Sequence, residues 1–170
     1  MDKILQTQLV NIYEHINAQE EEIEMAARLL AQATGGEGEI HLKTFHDFTG
    51  IESYLKESAL SLPRVRSFEG IDLVDTPDRV LVIADAFDDE VKAFVKNLSD
   101  SAADFVLISN YNKHESRFLD TVHHYIDLSS PRPLVPTPNF DKIVNPCLSA
   151  FLYLYNHIYV LIDEMTNEDY

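Results

Sequence analysis

The sequence predicts a three-layer α/β sandwich with a mostly parallel sheet of about four or five strands. Three observations carry that reading. RVLVIAD (79–85) contains an unbroken aliphatic run without alternation, the pattern of a central parallel strand covered on both faces. Strand-like and helix-like patterns alternate along the chain at a spacing suited to right-handed crossovers. Long helical patterns stand at both ends, over 2–33 and 140–165, and supply outer layers.

Residues 2–33 read as one long helix, with a break left open. Ile4, Leu5, Leu9, Ile12, Ile16, Ile23, Ala26, Ala27 and Leu30 recur at helical spacing, opposite the glutamates of QEEEIE. TGGEG stops it, because adjacent glycines are cheap in a turn and costly in a helix. The apolar face of this arm, residues 1–35, must pack on the domain or on a partner subunit. EIHLKTF (39–45) reads as a strand, FTGIESYLKESAL (48–60) as a helix and VRSFEG (65–70) as a weaker strand. After the central strand, DDEVKAFVKNLSDS (88–101) is helical, with Val91, Phe94, Val95 and Leu98 on one side. ADFVLISN (103–110) is a second interior strand, HESRFLDTV (114–122) a short helix and HYIDLS (124–129) another strand. A proline-rich connection, SPRPLVPTPN, leads into the last helix. Thr137 followed by Pro138 reads as its cap and first helical residue. Asn145 followed by Pro146 kinks or restarts it, with Cys147 on the inner side. One domain over 1–170 accommodates all of this.

Composition narrows the function classes. Thirteen basic against 29 acidic residues give a net charge of −16, which repels nucleic acid and anionic membranes. No run reaches the roughly 20 apolar residues that span a bilayer, and the start, MDKILQTQLV, lacks the pattern of a signal peptide. A single cysteine, Cys147, excludes an internal disulfide and fits a reducing compartment. The expectation is a cytoplasmic protein without nucleic-acid or membrane partners.

In an open α/β sheet, ligands bind beyond the carboxyl ends of the strands. Two segments meet that description: KTFHDFTG (43–50) and ADAFDDE (84–90). In the first, Lys43 supplies charge, Thr44 and Thr49 hydroxyls, and His46 a donor that titrates near neutral pH; the plain alternative is exposed loop residues. In the second, Asp88 reads as a helix cap, with Asp89 and Glu90 favouring the positive helix end. Those carboxylates oppose a phosphate in the same place. A divalent cation would reverse that argument, but DAFDD has no glycine and lacks the spacing of a calcium loop. His41, His46, His123 and His124 are too dispersed for a zinc site, so neither metal nor cofactor is expected. At the third candidate rim position Thr137 and Asn139, with Arg132 and Lys142, would face a ligand if the last helix opened beside the other loops. In the last helix Phe151, Tyr153, Tyr155 and Tyr159 put aromatics on more than one face, which points to a homodimer interface through the terminal helices.

With these elements in place, the chain resembles the sugar isomerase (SIS) domain family, and within it the phosphoheptose-isomerase-like proteins and a Firmicute subfamily of SIS-like proteins. The resemblance covers nearly the whole chain: the long first helix, the strand–loop–helix at 39–60, DRVLVIADAFDDEVKAFVKNL, SAADFVLISN, and the final helix entered through PTPNFDKIV. It implies a flavodoxin-like αβα sandwich that dimerises and binds a phosphosugar, as an aldose–ketose isomerase or a sensor. Isomerisation needs a base and an acid, for which His46 and Glu52 are the foremost candidates, with Asp47, Glu57 and His157 behind them. The family's ligand loop, approximately Ser-x-Ser-Gly-x-Thr-x-Glu, falls on Ala84, Ala86, Phe87, Asp89 and Val91, one place beyond Glu90. Its hydroxyls and glycine are absent here. Ala86, Phe87 and Asp88 therefore keep the position of a ligand loop without its chemistry. The alternative is a non-catalytic dimeric scaffold or regulatory protein with a degenerate sugar-phosphate site.

Overall fold

The computed structural model describes residues 2–167. Helices α1 (Asp2–Asn17) and α2 (Glu20–Thr34) precede strand β1 (Ile40–Thr44), which runs through a 3₁₀ turn at His46–Ile51 into the short α3 (Glu52–Glu57). Strands β2 (Val65–Ser67) and β3 (Arg79–Ile83), helix α4 (Asp89–Asp100), β4 (Phe105–Ser109), α5 (Ser116–Leu119) and β5 (Tyr125–Asp127) follow. A small hairpin, β6 (Val135–Pro136) and β7 (Lys142–Ile143), precedes the 20-residue α6 (Cys147–Thr166). The five main strands are all parallel, in the order β2-β1-β3-β4-β5. The expected three-layer sandwich is the observed architecture.

Residue alternation splits the core between the two faces of the sheet. Ile40, Leu42, Leu81, Ile83, Val106, Ile108 and Ile126 point to the side covered by α2 and α6. Val80, Val82 and Leu107 point to the other, where Val91, Val95 and Leu98 of α4 meet them. The uninterrupted apolar run of β3 is thus spent on both faces.

The N-terminal helix breaks at Ala18–Gln19, and the side chain of Gln19 shows what the break accomplishes. Its Nε2 donates to the Asp127 carbonyl at 2.8 Å, and its Oε1 accepts from the Asp127 amide at 2.9 Å. The carboxamide thereby satisfies both backbone groups of Asp127 on the edge strand β5, leaving less free edge for another chain to pair with. After α2, Gly38 passes so close to Pro77 that a Cβ would lie 2.0 Å from its carbonyl oxygen. Only glycine fits that crossing.

Two expectations need correction. The 48–60 segment is a 3₁₀ turn followed by six α-helical residues, not one helix. The last helix begins at Cys147, not near 140, and Thr137 does not cap it. Thr137 instead closes the hairpin turn: its amide donates to the Asp141 carbonyl at 2.8 Å and its carbonyl accepts from the Phe140 amide at 3.0 Å. Pro146 is the physical reason. It has no amide to donate and disfavours helical backbone at Asn145, so the helix starts after it, with Asn145 Oδ1 accepting from the Cys147 amide at 3.0 Å.

The aromatics of α6 find most of their cover within the chain. Phe151 and Tyr155 are fully buried. Tyr153 stacks on Tyr13 of α1 at 4.2 Å and exchanges hydrogen bonds with Asn17, while the Tyr155 hydroxyl donates to the Leu60 carbonyl. No described helix is long and apolar enough to cross a membrane.

Candidate functional site

The strand order reverses at β1 and β3, so the loops after these two strands diverge and leave a crevice at their carboxyl ends. His46 bridges the two loops. Its Nδ1 lies 2.6 Å from Asp85 Oδ1, and its Nε2 lies 2.8 Å from Asp88 Oδ2 and 3.8 Å from Glu90. The backbone at His46 is left-handed, with φ 52°, a conformation histidine tolerates better than most residues. Burial pushes the imidazole pKa down, but the hydrogen bond and charge of Asp85, with the charges of Asp88 and Glu90, outweigh it and raise the pKa. The ring is therefore biased towards imidazolium, donating at both nitrogens. Asp88 also performs the capping role read from sequence, its Oδ1 accepting from the Val91 amide at 3.0 Å.

Ligand atoms of His46, Asp88 and Glu90 lie within 4.8 Å of one another, the one such group among the described residues. All three side chains are exposed, and a cation there would compete with the proton that the carboxylates already neutralise.

Two cavities open on either side of Asp85. One, of about 190 Å³, is lined by Asp47, Phe48, Asp85, Asn145, Cys147 and Leu148. The other, of about 440 Å³, lies between the loops after β3, β4 and β5, with Asp85, Ala86, Phe87, Asn112, Lys113 and Arg132 among its lining residues. Asn110 holds the loops around them together. This buried amide donates to the carbonyl of Asp85 at 2.6 Å and accepts from the Ser130 amide at 2.8 Å. It also reaches Cys147 Sγ at 3.4 Å. Asn112 Nδ2 adds a bond to the Phe87 carbonyl at 2.9 Å. Burial pushes the Cys147 thiol up to about 11 despite hydrogen bonds from Ser130 and Asn110, so it stays protonated at neutral pH and is no nucleophile.

The sequence-predicted residues divide. His46, Ala86, Phe87 and Asp88 meet at this rim. Lys43 and Thr44, adjacent in β1, point to opposite faces of the sheet. The Lys43 ammonium lies over the rings of Phe45 and Phe94, at 4.9 and 5.5 Å, whereas Thr44 Oγ1 donates to Glu52 Oε2 at 2.7 Å. Burial would raise the Glu52 pKa, but hydroxyl donors from Ser67 and Thr44, with Lys56 and Lys43 nearby, bring it below the usual carboxylate range. Thr49 is exposed and, like Thr137 and Asn139 on the hairpin, lines neither cavity. Sequence reasoning saw Asp85 in the 84–90 turn without giving it a role, and named neither Asn110, Asn112 nor Lys113 as a site residue. The available signal was polar residues directly after an apolar strand, at LISNYNK.

The family model described as "Domain of unknown function (DUF2529)" matches residues 1–166. The chain belongs to that family. It is also similar to the Bacillus subtilis (strain 168) protein described as "Uncharacterized protein YwjG", with 30% identity over 171 residues covering 99% of each chain. The matched span reaches the end of α6 and includes every residue of the rim.

Proposed function

We propose that this DUF2529 chain binds a small phosphorylated sugar or a related anionic metabolite at the carboxyl rim of its sheet, as a cytoplasmic homodimer. The observation that carries the reading is the pair of cavities sharing Asp85 at the point where the strand order reverses, the place where open α/β sheets take their ligands. Asp47, Asp85, Asn112 and Asn145 offer acceptors and amide donors suited to sugar hydroxyls. The strand order is that of flavodoxin-like sheets, the architecture implied by the SIS resemblance. For the dimer, the support is exposed apolar side chains on both terminal helices: Ile4 and Val10 on α1, Leu148 and Val160 on α6.

Aldose–ketose isomerisation is the second reading, favoured by the His46–Asp85 pair beside the smaller cavity. Against it stands the engagement of both candidates: His46 donates to two carboxylates, and Glu52 accepts from two hydroxyls. Binding without turnover is therefore the primary conclusion, and a dimeric regulatory module is its natural setting.

A thermal-shift panel of sugar phosphates at millimolar concentration tests the binding reading. A ligand that saturates the native state raises the melting temperature by several degrees. A flat response across the panel would leave the dimeric scaffold without a sugar site. Product analysis after incubation with sedoheptulose 7-phosphate tests isomerisation; turnover no greater than that of a His46→Ala, Glu52→Ala control removes it.

A further inference from the structure

Charge is divided along the rim. The loops after β1 and β3, with the first turn of α4, carry Asp47, Asp85, Asp88, Asp89 and Glu90; His46 is held by two of these, and the Lys43 ammonium is turned onto the rings of Phe45 and Phe94. The loops after β4 and β5 carry Lys113, His114 and Arg132, and all three line the 440 Å³ cavity. Lys113 and Arg132 form no ion pair with a carboxylate among the described residues, whereas nearby Lys92 is bound to Glu115 at 2.7 Å. In a chain with 29 acidic and 13 basic residues, two cations without an ion-pair partner among the described residues line one cavity, with Asp85 as the one carboxylate in its lining.

Resting on the phosphosugar reading above, we propose that the phosphate is held at the β4–β5 end of the rim by Lys113, His114 and Arg132. The loops at 43–49 and 84–89, where the resemblance would put it, contribute hydroxyl-binding groups instead. Three physical points agree. Arg132 presents a planar fork suited to bidentate phosphate binding, and Lys113 a compact point charge. Both cations stand on anchored loops: Asn112 Oδ1 accepts from the His114 amide at 3.1 Å, and Asn110 ties Ser130, two residues before Arg132, to the β4 end. Asp85 lines the same cavity from the β3 side, where it would repel a phosphate and accept from a hydroxyl. The cavity's size is also right, since small-ligand sites run from about 300 to 1,000 Å³.

Backbone amide shifts of the full chain, titrated with fructose 6-phosphate, inorganic phosphate and fructose, test the placement. Both phosphorylated probes are expected to move the amides of 111–114 and 130–132, and fructose alone is not. Lys113→Gln with Arg132→Gln should weaken fructose 6-phosphate binding at least tenfold, with Arg132→Lys retaining part of it. Both side chains are exposed, so these variants keep the fold. Shifts confined to 43–49 or 84–91, or a double variant that binds as tightly as the wild type, overturn the placement and leave phosphosugar binding standing. Rim amides unmoved by fructose 6-phosphate and by every phosphosugar of the thermal-shift panel overturn both.

Discussion

At the amino end of the β1–β3 pair, His41 Nε2 meets Asp78 Oδ2 at 3.1 Å; at the carboxyl end, His46 Nδ1 meets Asp85 Oδ1 at 2.6 Å. The first pair is 1% and 7% exposed, the second 26% and 23%. Asp78 is fully occupied: beyond His41 it accepts from the amides of Glu39 and Asp75, each at 2.8 Å. Burial would raise its pKa, but the Asp75 and Glu39 amides and His41 more than offset that and lower it. Its carboxylate is committed within the chain, although a cavity of about 320 Å³ opens beside it. The carboxyl-end pair borders two cavities and leaves carboxylate oxygens facing water. The same two residue types are thus sealed within the fold at one end of the sheet and stay accessible at the other, and burial makes the difference.

Breaking the buried pair should have the largest effect. Asp78→Ala leaves His41 and two backbone amides without their acceptor, and an expected loss of about 3 kcal/mol follows from stranding buried polar groups. Urea denaturation measures it; a loss below about 1 kcal/mol would mean that Asp78 does not hold this end together. Because its pKa is depressed, the Asp78 contribution is complete above the usual value of 3.8 and disappears as pH falls through the lower folded value.

The open end also has a structural member, and Asn110 separates the two roles. Asn110→Ala removes the bonds that tie the loops after β3, β4 and β5, at an expected cost of about 2 kcal/mol. The same variant should broaden or shift amides of 85–87 and 129–131 while leaving those around His41 in place. If both ends respond equally, the contrast between them fails.

How much of this was legible in the sequence follows from which forces are local. The run at 79–83 and the cap at Asp88 were readable because apolar continuity and a first-turn acid act over a few residues. The start of α6 was misread because Thr137-Pro138 carries the signature of a helix entrance, while Asn145-Pro146 carries another. Only the pairing of β6 with β7 decides between them. The site divided along the same line. Lys43 and Thr44 looked like one polar pair, but strand alternation sends them to opposite faces. His46 was found without its partners, since Asp85 lies 39 residues away and is brought close only by the parallel register of β1 and β3. Asn110 was passed over because the groups it ties to its own loop, at Asp85 and Ser130, lie 25 and 20 residues away.

The smallest expected effect belongs to His46, and its sign makes it the sharpest test. The folded pKa lies above the usual 6.5, so the ion pair contributes fully below that value and is lost as pH rises through the raised one. Asp78 behaves oppositely, failing only in acid. His46→Asn is the suitable variant, because asparagine accepts the left-handed backbone at least as readily as histidine, so strain does not contaminate the comparison. A partly exposed pair of this kind stabilises by about 1 kcal/mol or less. The wild type should therefore exceed the variant by that amount near pH 6, with the gap closing as pH rises through the raised His46 pKa, well above the acid range in which the Asp78 contribution changes. A gap that stays flat as pH rises, or that widens, would show that His46 does not join the two loops as an imidazolium, and the carboxyl end would be left without the ionic bridge between them.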